Sequence, residues 1–128
     1  MPILVLDAGG LSRLAERSLR ASALLAALRR EELWPPLVPS PVLVECLTGH
    51  AGRDANVNRL LRTCYVEERV PEVLVRRAAT LRFAARRGSA IDALVVASAE
   101  PDGVVLTSDL GDLRALASHS RGVTVERA

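Results

Sequence analysis

Ile3-Leu4-Val5-Leu6-Asp7, near the start of the chain, and Val104-Val105-Leu106-Thr107-Ser108-Asp109, far along it, share one pattern. Each is an apolar run followed by aspartate, directly in the first and after Thr107-Ser108 in the second. A run of β-branched residues and Leu without polar alternation is what a strand buried on both faces looks like. Such strands belong to parallel sheets covered by helices on both sides. In open α/β sheets the ligand site lies beyond the carboxyl ends of the strands. Both runs therefore deliver a carboxylate to the edge where substrates bind.

Working outward, residues 3–6 form the first strand, and a helical region starts at about Leu11 with apolar residues at 11, 14 and 15. A second helix spans roughly Ser18 to Leu33, with Leu24, Leu25 and Leu28 on one face. Trp34-Pro35-Pro36 stops it, because Pro supplies no amide hydrogen and disfavours helix in the residue before it. Leu37-Val38-Pro39 reads as a short strand. Ser40-Pro41 reads as an N-cap with Pro at the first helical position, opening a helix that carries Glu45 and ends near Gly49. Residues 54–62 are a helix and 64–66 a short strand. Pro71 opens a long helix to about Arg87, closed by Gly88, and Ser89 caps the next, from Ala90 to Glu100. Val104–Thr107 is the second buried strand, Asp109 to about Ser118 a helix, and Val123-Thr124-Val125 a last strand. The alternation predicts a single α/β domain over residues 1–128, a three-layer α/β/α sandwich around a mainly parallel sheet.

Composition narrows the functions. At 49% hydrophobic and 25% charged residues, the chain has the make-up of a globular domain. Its aromatic residues are Trp34, Tyr65 and Phe83, so the core must be built from Leu, Val, Ile and Ala. A surface that binds single strands mainly by base stacking is disfavoured. Net charge is +2, and all 17 basic side chains are Arg, with no Lys. Arg suits phosphate through its fork of donors, although genomic base composition produces the same bias. Cys46 and Cys64 have no metal-ligand spacing and read as reduced thiols. The apolar start is too short for the core of a signal peptide, and the run from Ala93 to Ala99 is far short of a membrane span. A cytoplasmic location is the expectation.

The acids carry the chemistry. Asp109 can simply cap the helix it opens, with Asp112 three residues on favoured by the helix dipole. Asp92 lies in Ala-Ile-Asp-Ala-Leu-Val-Val-Ala-Ser-Ala, a helix apolar nearly all round. A charge there needs a partner or a metal, or else a capping box with Ser89. Glu45 is the single acid in Val42-Leu43-Val44-Glu45-Cys46-Leu47, where a solvated helix face is the ordinary explanation. Taken together, carboxylates brought close repel, and a divalent cation removes that penalty. Oxygen ligands without His or Cys favour Mg²⁺ or Mn²⁺ over zinc.

The order Val-Leu-Asp7, Glu45 on a helix after Ser-Pro, Ile-Asp92-Ala-Leu and Leu-Thr107-Ser-Asp109-x-x-Asp112-Leu resembles a PIN domain across essentially the whole chain. Within that group it is most similar to the VapC-type toxins of bacterial toxin–antitoxin pairs. The resemblance implies a Mg²⁺-dependent endoribonuclease, the toxin of a type II pair. It implies that Asp7, Glu45, Asp92 and Asp109 hold the metal and are catalytic, that Asp112 is an auxiliary acid, and that Thr107 orients a carboxylate or water. The implied partners are RNA, a cognate small antitoxin and a second copy of the chain as a homodimer. One departure is Ala8-Gly9-Gly10 after the first Asp, where many members have Ser or Thr next. The glycines leave room for a backbone or phosphate to approach. Arg82, Arg86 and Arg87 are candidates to line the path of the RNA backbone, against the plainer reading of a solvated helix face.

Other readings fail on particular residues. A phosphoacceptor receiver needs a Lys, and a haloacid-dehalogenase-type site needs an acid at position 9, which is Gly. A dinucleotide-binding turn needs G-x-G-x-x-G after the first strand. His50 and His119 read as surface residues, so no Ser–His pair offers a nucleophile. The alternative from another class is a non-catalytic PIN-like module that binds RNA or protein.

Overall fold

The computed structural model describes residues 2–128. Strands β1 (Leu4–Leu6), β2 (Leu37–Pro39), β3 (Tyr65–Glu67), β4 (Val104–Thr107) and β5 (Thr124–Arg127) form one sheet in the order β3-β2-β1-β4-β5. Every neighbouring pair is parallel. Helices α1 (Ala8–Ala15), α2 (Leu19–Arg30), α3 (Leu43–Cys46), α4 (Ala51–Leu61), α5 (Glu72–Ala85), α6 (Ala90–Ala99) and α7 (Gly111–Ala117) surround it. This is the three-layer α/β/α sandwich that the alternation of elements predicts. No helix among the described residues is long and apolar enough to cross a membrane.

The two opening runs are neighbours in the sheet. Leu4 pairs with Val104, Val5 with Val105 and Leu6 with Leu106, so Asp7 leaves β1 beside Thr107 at the end of β4. Both strands are buried because helices pack on them, and α6 supplies Ala93, Val95, Val96, Ala97 and Ala99 to the same core. That explains why α6 is apolar nearly all round.

Several boundaries differ from the sequence expectation, each for a local reason. Helix α1 starts at Ala8, not Leu11, because Asp7 caps it, accepting from the Gly10 amide. Helix α2 stops at Arg30 and Glu32 takes a left-handed conformation, φ 59°. Ser40 is not an N-cap. It begins a 3-10 turn, Ser40–Val42, and its hydroxyl donates to the Glu68 carbonyl instead. The helix that carries Glu45 is only Leu43–Cys46, ended by extended Leu47. Helix α7 begins two residues after Asp109, whose carboxylate accepts from the Gly111 amide. Helix α5 ends at Ala85, with Arg86 in the left-handed region closing it.

Candidate functional site

Asp7 lies where β1 turns into α1 and is partly buried. One carboxylate oxygen, Oδ1, accepts from the Gly10 amide at 2.7 Å. The other, Oδ2, accepts from the Thr107 hydroxyl at 2.6 Å. Burial pushes its pKa above the ordinary carboxylate value, and the nearby charge of Asp92 adds to the rise. The hydrogen bonds from Thr107 and the Gly10 and Gly9 amides pull the other way without cancelling it. At Asp7 the loss of water and the like charge of Asp92 together outweigh these donors.

Thr107 is 1% exposed and ties the two strand ends together. Its hydroxyl donates to Asp7 and accepts from the Asp109 amide at 3.1 Å, with the Asp109 carbonyl at 3.2 Å. The turn that starts Asp109 is thereby fixed to the Asp7 carboxylate. The glycines after Asp7 serve the same junction. A Cβ on Gly10 would lie 2.8 Å from the Leu106 carbonyl carbon, and one on Gly9 would lie 3.2 Å from the Ser108 amide nitrogen. The space opened by Ala8-Gly9-Gly10 is occupied by the chain's own β4, which lets the start of α1 press against it.

Asp92 is partly buried in the first turn of α6. It completes a capping box: the Ser89 amide donates to Asp92 Oδ2 at 3.1 Å, and the Asp92 amide donates to Ser89 Oγ at 3.0 Å. The capping explanation is therefore realised, and it engages one of the two carboxylate oxygens. Asp109 is exposed and accepts from the Gly111 amide at 3.2 Å.

The remaining candidates are less gathered. Glu45 is exposed on α3, which packs against α1, and no hydrogen bond or ion pair among the described residues links it to Asp7. Asp112 pairs with Arg87, Nε to Oδ1 at 2.8 Å. Arg82 donates to the Gly88 carbonyl at 3.0 Å, and Arg86 is exposed at the end of α5. Among the described residues no group of three or more His, Cys, Asp or Glu side chains is arranged to hold a metal ion. The structure joins Asp7, Thr107 and Asp109 by hydrogen bonds, brings Asp92 close enough to act on Asp7, and places Glu45, exposed, on a helix that packs against α1.

Two acids passed over in the sequence are committed elsewhere. Asp54, 5% exposed, accepts from the Thr48 amide and hydroxyl and from the Gly49 amide. Those bonds, the Thr48 amide above all, hold its pKa below the ordinary value. The polar Thr48-Gly49-His50 turn ahead of an acid in a first helical turn was the available signal. Glu100 receives Arg77 through two 2.8 Å bonds and the Arg121 amide at 2.7 Å, and the Arg77 guanidinium lowers its pKa.

No protein-family model and no curated protein matches the chain. The fold is similar to the crystal structure of PAE2754 from Pyrobaculum aerophilum, with a TM-score of 0.63. Identity is 16%, over 97% of this chain and 90% of the other. At that identity the likeness speaks for the fold alone.

Proposed function

We propose that this protein is a Mg²⁺- or Mn²⁺-dependent endoribonuclease of the PIN type, resembling the toxins of type II toxin–antitoxin pairs. The observation that supports it best is the junction of Asp7, Thr107 and Asp109, with the charge of Asp92 nearby, at the carboxyl edge of a parallel sheet. Whether these residues suit a divalent cation is tested by Asp7 itself. A carboxylate held above its ordinary value by burial and by a second acid is in the electrostatic position that a cation reverses. The donors are all hard oxygens, as Mg²⁺ prefers.

In this reading Asp7, Asp92, Asp109 and Glu45 would hold the ion. When bound, it supplies a water of lowered pKa and stabilises the charge that develops on a phosphate. The chain's own residues position and exclude. Thr107 orients the Asp7 carboxylate by donating to one oxygen, leaving the other to the Gly10 amide. Gly9 and Gly10 let the strand ends close together, so that the acids share one edge. Cleavage of RNA with Mn²⁺, lost in EDTA, is the expected result, and full activity in EDTA would refute the mechanism.

The partners in this reading are RNA, a cognate small antitoxin and a second copy of the chain. Leu19 is 92% exposed, and with Leu14, Leu25 and Leu60 it lines an apolar groove available for such association. A second reading, a non-catalytic module that binds RNA or protein, is favoured by one observation: the capping box already gives Asp92 a role without metal. RNA binding without cleavage at any metal concentration is what that reading expects.

A further inference from the structure

We infer that Arg87 is a phosphate-holding residue of the acidic site and that Asp112 is its positioning residue rather than a further acid for the metal. The inference rests on the nuclease reading and assigns part of its substrate contact. It begins with the turn between α5 and α6. Arg86 adopts a left-handed conformation, φ 55°, and Gly88 another, φ 94°. Arg82 Nε donates to the Gly88 carbonyl, and Ser89 opens the capping box with Asp92. A Cβ on Gly88 would lie 2.7 Å from Leu116 Cδ1, so the turn presses on α7. Arg87 is thus presented from a backbone constrained on both sides, two residues before the box that contains Asp92.

The side chain is directed in turn. Arg87 Nε donates to Asp112 Oδ1 at 2.8 Å, with both side chains about half exposed, 58% and 48%. An exposed ion pair adds little to stability, so stability alone is a weak reason for the contact. Its geometric consequence is larger. A Cβ on Gly111 would lie 3.4 Å from Arg87 Nη2 and 3.7 Å from Asp109 Oδ1. The guanidinium and the Asp109 carboxylate therefore flank the same glycine, the guanidinium near the acid without pairing to it. With Nε engaged by Asp112, the Nη donors remain for a phosphate oxygen, the geometry in which Arg binds phosphate well. A cation at the rim of an acidic edge also offsets the repulsion that a polyanionic RNA would meet there.

Three variants and two readouts test the assignment: Arg87→Gln, Asp112→Ala and their double mutant. The first readout is binding of a labelled single-stranded RNA oligonucleotide in Ca²⁺, and the second is the Mn²⁺ affinity of the protein alone. Asp112→Ala removes a negative charge, so general electrostatics would tighten RNA binding. The positioning role requires the opposite sign. Expected are losses of about tenfold in RNA affinity for Arg87→Gln and for Asp112→Ala, the scale of a charged hydrogen bond. The double mutant should fall no further than Arg87→Gln, and Mn²⁺ affinity should stay within about twofold. Arg76→Gln on α5, whose side chain pairs with Glu72, controls for the loss of one positive charge. A wild-type protein that binds the oligonucleotide no better than Arg87→Gln overturns the assignment whatever its nuclease activity. So does an Asp112→Ala protein that binds RNA more tightly, or one that loses Mn²⁺ affinity. Absence of cleavage with these binding differences intact would remove the nuclease reading and keep the phosphate contact.

Discussion

Asp7 and Glu100 are carboxylates at opposite edges of the same sheet, and their surroundings push them in opposite directions. Glu100, beyond the end of α6, has a side chain only 7% exposed, yet Arg77 and the Arg121 amide satisfy both oxygens. Its pKa falls because the guanidinium outweighs burial. Asp7 has donors on both oxygens as well, but they are a hydroxyl and an amide, and the nearby charge is another acid. Its pKa rises. Both groups are hydrogen-bonded, but burial dominates at Asp7, with the Asp92 charge adding to it, whereas at Glu100 the Arg77 guanidinium outweighs burial. One edge carries its own counter-ion; in the proposed reading the other leaves that place to an ion from solution.

Substitution should separate the two edges first. Asp7→Asn is expected to cut RNA cleavage by about a hundredfold or more, at least the scale reported for disturbing a metal site's supporting shell. Its melting temperature in EDTA should hold or rise, because an acid that is costly when ionised has been neutralised. Asn can still accept from Gly10, while Thr107 turns its proton to the Asp109 carbonyl. Glu100→Gln should do the reverse: cleavage stays and stability drops by about 1–3 kcal/mol as Arg77 loses its charged partner. A destabilised Asp7→Asn protein would erase the contrast.

The pH dependence should show opposite slopes. Folded Glu100, with its lowered pKa, contributes stability above the ordinary carboxylate range and loses it as pH falls through its folded value. Folded Asp7 holds its proton to higher pH than the unfolded chain does. Its contribution is greatest at low pH and is lost as pH rises through its raised value. In EDTA, comparing each variant with wild type across mildly acidic pH by thermal melting reads the two slopes separately. Equal slopes of one sign would contradict the opposite shifts of the two acids.

The smallest stability effect belongs to Asp92. Asn keeps an acceptor for the Ser89 amide, so as a cap alone Asp92→Asn should cost about 1 kcal/mol or less. In the metal reading the same variant also loses Mn²⁺ affinity, and relief of repulsion on Asp7 offsets part of the cap's loss. A less stable, fully active protein would assign Asp92 to capping only.

The legible part of this fold was what burial writes into local sequence. β1 and β4 are sandwiched on both faces, so their apolar runs and the acids that end them could be read directly. The edge strand β5 is exposed over much of its length, so its apolar pattern stops at Val125 although the strand runs to Arg127. Ser40-Pro41 has the composition of a helix start, but the Ser40 hydroxyl bonds to the residue beyond β3, a tertiary partner that no window around it contains. The same limit hid the arginine partners: Arg77–Glu100 and Arg87–Asp112 depend on how helices pack. Ala8-Gly9-Gly10 could be read as a close approach, but not as the approach of β4 itself. Glu45 shows the converse. Its place in the sequence order suits the acidic set, while its four-residue helix leaves it exposed and without a hydrogen-bond partner among the described residues.

In the proposed reading the carboxyl edge of the sheet is short of positive charge in a way a divalent ion corrects. Thermal melting of wild type and Asp7→Asn, each in EDTA and in excess Mn²⁺ at neutral pH, tests it most directly. Binding to the folded state stabilises by mass action, by about 2.7 kcal/mol at a hundredfold excess over Kd. The melting temperature of the wild type should rise clearly with Mn²⁺, and that of Asp7→Asn little or not at all. A wild type whose melting temperature does not move with Mn²⁺, or an Asp7→Asn protein that gains as much as wild type, would contradict it.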